Sequence, residues 1–212
     1  MSSLNQENGF VFRIAHIANV PWILDHGLHC RNSLERDLNY VEIGNPELIE
    51  KRTLRAVPIP PGGVLGDYIP FYFTPHSPML YNIKTGYQGI SRRPMSEIVI
   101  LVAALPALAA QRLPFVFTDR HAYLQTASFF SDLVQLDRIP WDLLQKRDFK
   151  RDVYDPSKFE RYQAEALVYR HLPVAALSDI ICYGEAQRTT LQGEIENRQR
   201  SLRVAAKPDL YF

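Results

Sequence analysis

Two nearly unbroken apolar runs limit what this chain can become. Glu97 to Ala103 reads EIVILVA and Leu113 to Asp119 reads LPFVFTD. Neither alternates as a strand with one wet face would, so both are expected to be strands buried on both sides. Such strands need material on each face of their sheet, which predicts an α+β fold of several short strands with flanking helices. At 212 residues the chain can bury one substantial core, and a single domain over 1–212 is the expectation.

The remaining elements follow from local chemistry. Val11 to Ala15 reads as an opening strand; Asn19 as N-cap, Pro21 in the first turn and Gly27 at the end then frame a short helix. Asn45-Pro46 predicts a turn and a helix through Lys51, and the Pro/Gly-rich IPPGGVLGDY a loop before a strand over Ile69 to Phe73. Ser77-Pro78 starts another helix. Helices are expected over Ala122 to Gln135, Pro140 to Lys146 and LQGEIENRQRSL, with strands at DIICYG and LRVAA. The stretch Ile98 to Ala110 contains Pro106, is shorter than the ~20 residues a membrane span needs, and reads as a strand followed by a turn.

Charge and cysteine usage exclude several classes. Twenty-four Lys plus Arg against 23 Asp plus Glu give no whole-molecule attraction to nucleic acid or anionic membrane, so any phosphate-binding surface must be local. Cys30 and Cys182 are too few for a disulfide framework and lack Cys-x-x-Cys spacing. The polar MSSLNQENG start has no signal-peptide pattern, and a cytoplasmic protein with no membrane contact is expected. The six histidines have no metal-ligand spacing, so no metal is expected, and neither a G-x-G-x-x-G nor a Walker loop occurs.

Six groups of residues could carry chemistry. His16 and Asn19, in RIAHIAN, stand at a strand-to-helix corner where they could meet a planar amide, or act only as a surface histidine and a cap. Arg52, with Lys51 and Arg55 nearby, offers a permanently charged fork suited to a pyrophosphate or a developing anion, or is part of a solvated face. Tyr72, Met79 and Tyr81 surround a strand-to-helix turn that could hold a heterocycle, or are core. Glu165, in YQAEALVYRH, is a costly carboxylate among apolar neighbours if it faces inward, or an exposed residue of an amphipathic helix. Arg92 and Arg93 in a turn, and Lys150, Arg151 and Tyr154 within a run of mixed charge and aromatics, combine what single-stranded nucleic acid needs; His121 and Tyr123 could line a site at a strand end.

Taken together, RIAHIANVPWILDHGL, GNPELIEKR with VPIPPGGVLGDYIPFYFTPHSPMLYNI, EIVILV with FVFTDRHAY, and RYQAEALVYRHLP resemble the DarT family of DNA ADP-ribosyltransferase toxins, in the same order and over most of the chain. The resemblance implies an ADP-ribosyltransferase core similar to that of the poly-ADP-ribose polymerases, with NAD as co-substrate. It implies Arg52 and Glu165 as catalytic residues, and His16, Ala18, Asn19, Gly27, Arg52, Tyr72, Met79 and Tyr81 as the NAD site. His121, Tyr123, Arg92, Arg93, Lys150, Arg151 and Tyr154 would face DNA, with Arg138 to Tyr162 lying in the substrate-recognition loop. The implied reaction transfers ADP-ribose to thymidine in single-stranded DNA in a sequence-dependent manner, opposed by a DarG-like macrodomain antitoxin. Guanosine, RNA or protein as acceptor is the alternative, and a nucleic-acid-binding module without chemistry is the rival class.

Overall fold

The structure is a computed structural model and describes residues 4–212, the side chain of Gln88 excepted. An eight-stranded sheet runs in the order β10-β9-β4-β1-β3-β7-β5-β6, with a separate two-stranded ribbon of β2 and β8. The strands are β1 (Phe10–His16), β2 (Leu28–His29), β3 (Tyr68–Tyr72), β4 (Ile98–Ala104), β5 (Phe115–Thr118), β6 (Phe129–Phe130), β7 (Glu165–Tyr169), β8 (His171–Leu172), β9 (Asp179–Cys182) and β10 (Arg203–Ala206). Helices α1 (Val20–His26), α2 (Pro46–Thr53), α3 (Pro78–Thr85), α4 (Leu105–Ala110), α5 (Trp141–Gln145), α6 (Lys158–Arg161) and α7 (Glu185–Asn197) flank it. None of the described helices is long and apolar enough to cross a membrane.

The apolar run on β4 is covered on both faces. Val99, Leu101 and Ala103 join one core cluster, with Ile23 and Leu24 of α1 and Leu191 and Ile195 of α7. Ile98, Ile100 and Val102 join a second, with Leu80 and Ile83 of α3. Each such side chain removed from water contributes about 1.5–3 kcal/mol, which makes β4 the anchor of the sheet. Its pairing with β1 is continuous from Phe10 opposite Ala104 to His16 opposite Ile98. On its other side β1 meets β3 only at Phe12 opposite Tyr72, although β3 pairs fully with β7 from Tyr68–Tyr169 to Tyr72–Glu165. The sheet is therefore split between β1 and β3.

Several expectations are corrected by where backbone groups find partners. The expected helix over Ala122 to Gln135 does not form: Phe129 and Phe130 pair with β5, the Ser128 N–H donates to Asp119, and Asp132 accepts from the Val134 N–H to cap a 3-10 helix over Leu133–Arg138. Local polar side chains and the β5 edge outcompete the helix there. The segment after β4 is the short helix α4 and not a turn, because Pro106 falls in its first turn. Helix α7 starts at Glu185, before the expected Leu191, and ends at Asn197. Asn19 stands at the N-cap of α1 without capping it; its amide instead accepts from the Val41 N–H at 2.8 Å and donates to the Val41 carbonyl at 3.1 Å.

Gly27 ends α1 at φ 80° and ψ −166°, a conformation open essentially to glycine alone. A Cβ there would lie 2.5 Å from the Leu172 carbonyl oxygen, inside the β2–β8 ribbon. Gly27→Ala is therefore expected to cost about 1–3 kcal/mol in chemical denaturation; unchanged stability would mean that the ribbon yields freely.

Candidate active site

Helix α2 exists because Asn45 accepts from the Leu48 N–H and Pro46 presets the first turn. Its last turn brings Arg52 to the head of β7, where Glu165 is the first strand residue. Arg52 Nη2 donates to Glu165 Oε2 at 2.6 Å, and Nη1 lies 3.4 Å from Oε1. Oε1 also accepts from the Ala122 N–H at 3.2 Å, and His121 Nδ1 stands 3.7 Å away. The Glu165 backbone N–H is held by Thr118 Oγ1 at 3.3 Å. Glu165 is thus a strand residue, 1% exposed, and the amphipathic-helix alternative is overturned.

The electrostatics follow from this packing. Burial pushes the Glu165 carboxyl up, but Arg52, His121 and the Ala122 N–H outweigh it and hold the group below the usual carboxylate range. Arg52 is drawn the other way: burial works against its charge, yet Glu165 raises it further above its ordinary value. His121 is pushed down, first by burial and also by Arg52, against the pull of Glu165. Its Nδ1 accepts from the Tyr123 N–H at 3.2 Å, which places the proton of the neutral ring on Nε2. The phenol of Tyr72 is raised by burial and then by Glu165, so it stays protonated; its hydroxyl meets Met79 Sδ at 3.7 Å.

A cleft of about 1420 Å³ opens over this group. Of the residues expected at the site, Arg52, Tyr72, Met79, Tyr81, His121, Tyr123, Lys150 and Arg151 line it. Glu165 does not; Arg52 and His121 cover it. Nor do His16, Ala18, Asn19 and Gly27 line the cleft. The His16 ring accepts from the Ala18 N–H at 3.2 Å and faces Glu97 at 3.4 Å. Arg92, Arg93 and Tyr154 also lie outside the cleft wall: Arg93 pairs with Glu97 at 3.4 Å, and Tyr154 is 96% exposed. Among the described residues no His, Cys, Asp or Glu group is placed to hold a metal ion.

The mixed charges before β7 resolve into two sets. Lys158 takes Asp148 at 2.5 Å and reaches Asp152 at 4.0 Å, and Arg161 takes Asp155. Arg147, Lys150 and Arg151 are left exposed in the cleft wall with no carboxylate partner among the described residues. Asp148, Asp152 and Asp155 are thus engaged locally, Glu160 lines the cleft without an ion pair among the described residues, and the exposed cations of this run are Arg147, Lys150 and Arg151. Sequence reading missed Arg13, Trp22 and Phe212, which also line the cleft. The charge in the apolar strand FVFRIAH was a signal for Arg13; nothing local marks Phe212, which reaches the site through Tyr81 and Phe149.

A split mixed sheet with short flanking helices, carrying a buried, arginine-paired carboxylate beneath its cleft, is an ADP-ribosyltransferase fold. A family model described as "ssDNA thymidine ADP-ribosyltransferase, DarT" matches residues 12–212, and the chain belongs to that family. A DNA ADP-ribosyl transferase of Escherichia coli O127:H6 is 52% identical over 211 residues, covering 100% of this chain and 97% of the relative. Thermus sp. 2.9 DarT in complex with ADP-ribosylated ssDNA superposes with a TM-score of 0.90 at 34% identity, covering both chains completely (100% each). The same Thermus protein in complex with NAD+ gives a TM-score of 0.77 at 34% identity, over 97% of this chain and 98% of that one.

Removing Arg52 alone would leave a buried carboxylate without its main partner. Arg52→Met is expected to destabilise the fold by about 3–5 kcal/mol, and Arg52→Met with Glu165→Leu to recover most of that. A double-mutant cycle by denaturation measures the coupling; additive losses would mean that the pair does not stabilise the fold.

Proposed function

We propose that this chain, acting as a single ADP-ribosyltransferase domain, transfers ADP-ribose from NAD+ to a thymine base in single-stranded DNA, with Glu165 and Arg52 as its catalytic pair. The observation that carries the reading is the ionised Glu165 carboxylate held by Arg52 beneath a cleft large enough for a dinucleotide. Membership of the DarT family supports the choice of acceptor.

The chemistry follows from charge. As the bond between the ribose anomeric carbon and the nicotinamide nitrogen breaks, its electron pair leaves with nicotinamide and the sugar becomes cationic. A preorganised anion beside that sugar stabilises the transition state more than the ground state. Glu165 is such an anion, and its closest approach to the ribose needs Arg52 to turn aside. The new bond forms from a thymine ring nitrogen to the anomeric carbon, and the ring proton must leave. Arg52 is a poor acceptor for it, because an arginine paired with a buried carboxylate stays protonated. Its role is to stabilise the anionic ring, while the ring proton passes to water at the open cleft; His121, whose Nδ1 already accepts from the Tyr123 N–H, lines the DNA side of the site. Tyr72, Met79 and Tyr81 form the apolar wall for NAD+. His16, Ala18, Asn19 and Gly27 contribute by shaping the β1–α1 corner beside it. Arg147, Lys150 and Arg151 meet the DNA phosphates at the rim, and Tyr123 and the exposed Tyr154 offer faces for bases. Arg92 and Arg93 extend the basic surface outside the cleft. The family reading also carries an antagonist, a DarG-like macrodomain antitoxin that removes the ADP-ribose.

Incubation with NAD+ and separate pools of single-stranded DNA, duplex DNA, RNA and protein, followed by mass spectrometry, tests this. The added ADP-ribose is expected on thymine in single strands, with a paired duplex a poor substrate because pairing occupies the ring nitrogen. Modification of guanine, RNA or protein in its place, or equal modification of duplex and single strand, would overturn the assignment of the acceptor.

A further inference from the structure

Arg13 is the one cation in the apolar strand β1, and the function above leaves it without a task. It sits next to Phe12, whose pairing with Tyr72 is the last contact before β1 and β3 diverge, so it marks the vertex of the split. Nη1 donates to the carbonyl of Pro70 on β3 at 2.9 Å. Nε is buried with no partner, and no carboxylate lies within ion-pair distance of the group among the described residues. The side chain is half-buried and lines the cleft. A half-buried guanidinium with an unsatisfied N–H and no counter-ion among the described residues costs free energy.

The other arginines and lysines of the cleft are differently placed. Arg52 spends its fork on Glu165, Arg31 pairs with Glu42, and Arg36, Arg147, Lys150 and Arg151 are exposed. The dinucleotide brings two negative charges on its pyrophosphate, one sugar away from the bond that breaks. Strand alternation turns the Arg13 side chain away from Phe12, yet its charge still acts on the Tyr72 phenol, as do those of Glu165 and Arg52, and Arg13 lines the same cleft as Tyr72 and Arg52. A ribose beside Glu165 therefore places the phosphates toward Arg13. We propose that Arg13 binds the pyrophosphate of NAD+ from the vertex of the split sheet. Its bond to Pro70 fixes one edge of the guanidinium, and Nη2, which has no hydrogen-bond partner among the described residues, is the donor offered to the phosphate. The proposal rests on NAD+ being the co-substrate.

Three ligands separate a phosphate contact from a structural effect: NAD+, ADP-ribose, and nicotinamide riboside, which keeps the base and sugar but has no phosphate. Arg13→Gln is expected to weaken NAD+ and ADP-ribose about tenfold or more, the loss of one charge-assisted bond, while nicotinamide riboside changes less than about twofold on the same scale. Arg13→Lys keeps the charge without the fork and should fall between; it also decides the matter if the glutamine variant does not fold. Unchanged NAD+ affinity, or an equal loss for all three ligands, would overturn the proposal. So would a loss of single-stranded DNA binding with NAD+ binding intact, which would give Arg13 to the DNA. Wild-type protein that binds no NAD+ would overturn the proposed function along with it.

Discussion

The ion pair between Arg52 and Glu165 joins the last turn of α2 to the first residue of β7 across 113 positions of sequence, and much of the surrounding structure serves to keep that carboxylate ionised out of water. A buried carboxylate without partners would take up a proton instead. Here Arg52 supplies the opposite charge, the Ala122 N–H a further donor, and Thr118 fixes the strand start. The turns after β5 are therefore part of the site, because they present the Ala122 N–H to Glu165 Oε1. Burial that would disfavour the charge in isolation strengthens its interaction with a cation once the partners are in place.

The second constraint is the incomplete pairing of β1 with β3. Continuous ladders on either side, β1 with β4 and β3 with β7, leave the break at one place. Two rigid half-sheets thus meet at a vertex. The Arg52–Glu165 pair lies on the β7 side, and the β1–α1 corner on the other. Asn19 extends that corner by holding Val41 through both ends of its amide, which ties the polar stretch before α2 to the β1 side of the molecule.

Where local chemistry decides, the sequence was readable. The apolar run EIVILVA became β4, Ser77 caps α3 through the Leu80 N–H, and Asn45 caps α2. Glu165 stood out because its neighbours are apolar. Where long-range partners decide, reading failed. Asn19 has the chemistry of a cap but is claimed by Val41. Phe129 and Phe130 have the pattern of a helical face but are claimed by β5. The basic run before β7 was legible as mixed charge; its division into paired and unpaired cations depends on Lys158 and Arg161 reaching particular aspartates in space. Arg13 was missed: a charge in the apolar strand FVFRIAH is legible, but its position at the vertex requires the sheet order.

The account stands or falls on whether the charge of Glu165, and not its bulk, drives transfer. Glu165→Gln keeps the shape and one acceptor and removes the charge. With saturating NAD+ and a single-stranded oligonucleotide, single-turnover transfer by this variant should fall by about 10²–10³-fold, as for other preorganised electrostatic groups, while the fold is retained and NAD+ affinity changes only a few-fold. A folded Glu165→Gln protein that transfers ADP-ribose at nearly the wild-type rate would contradict it.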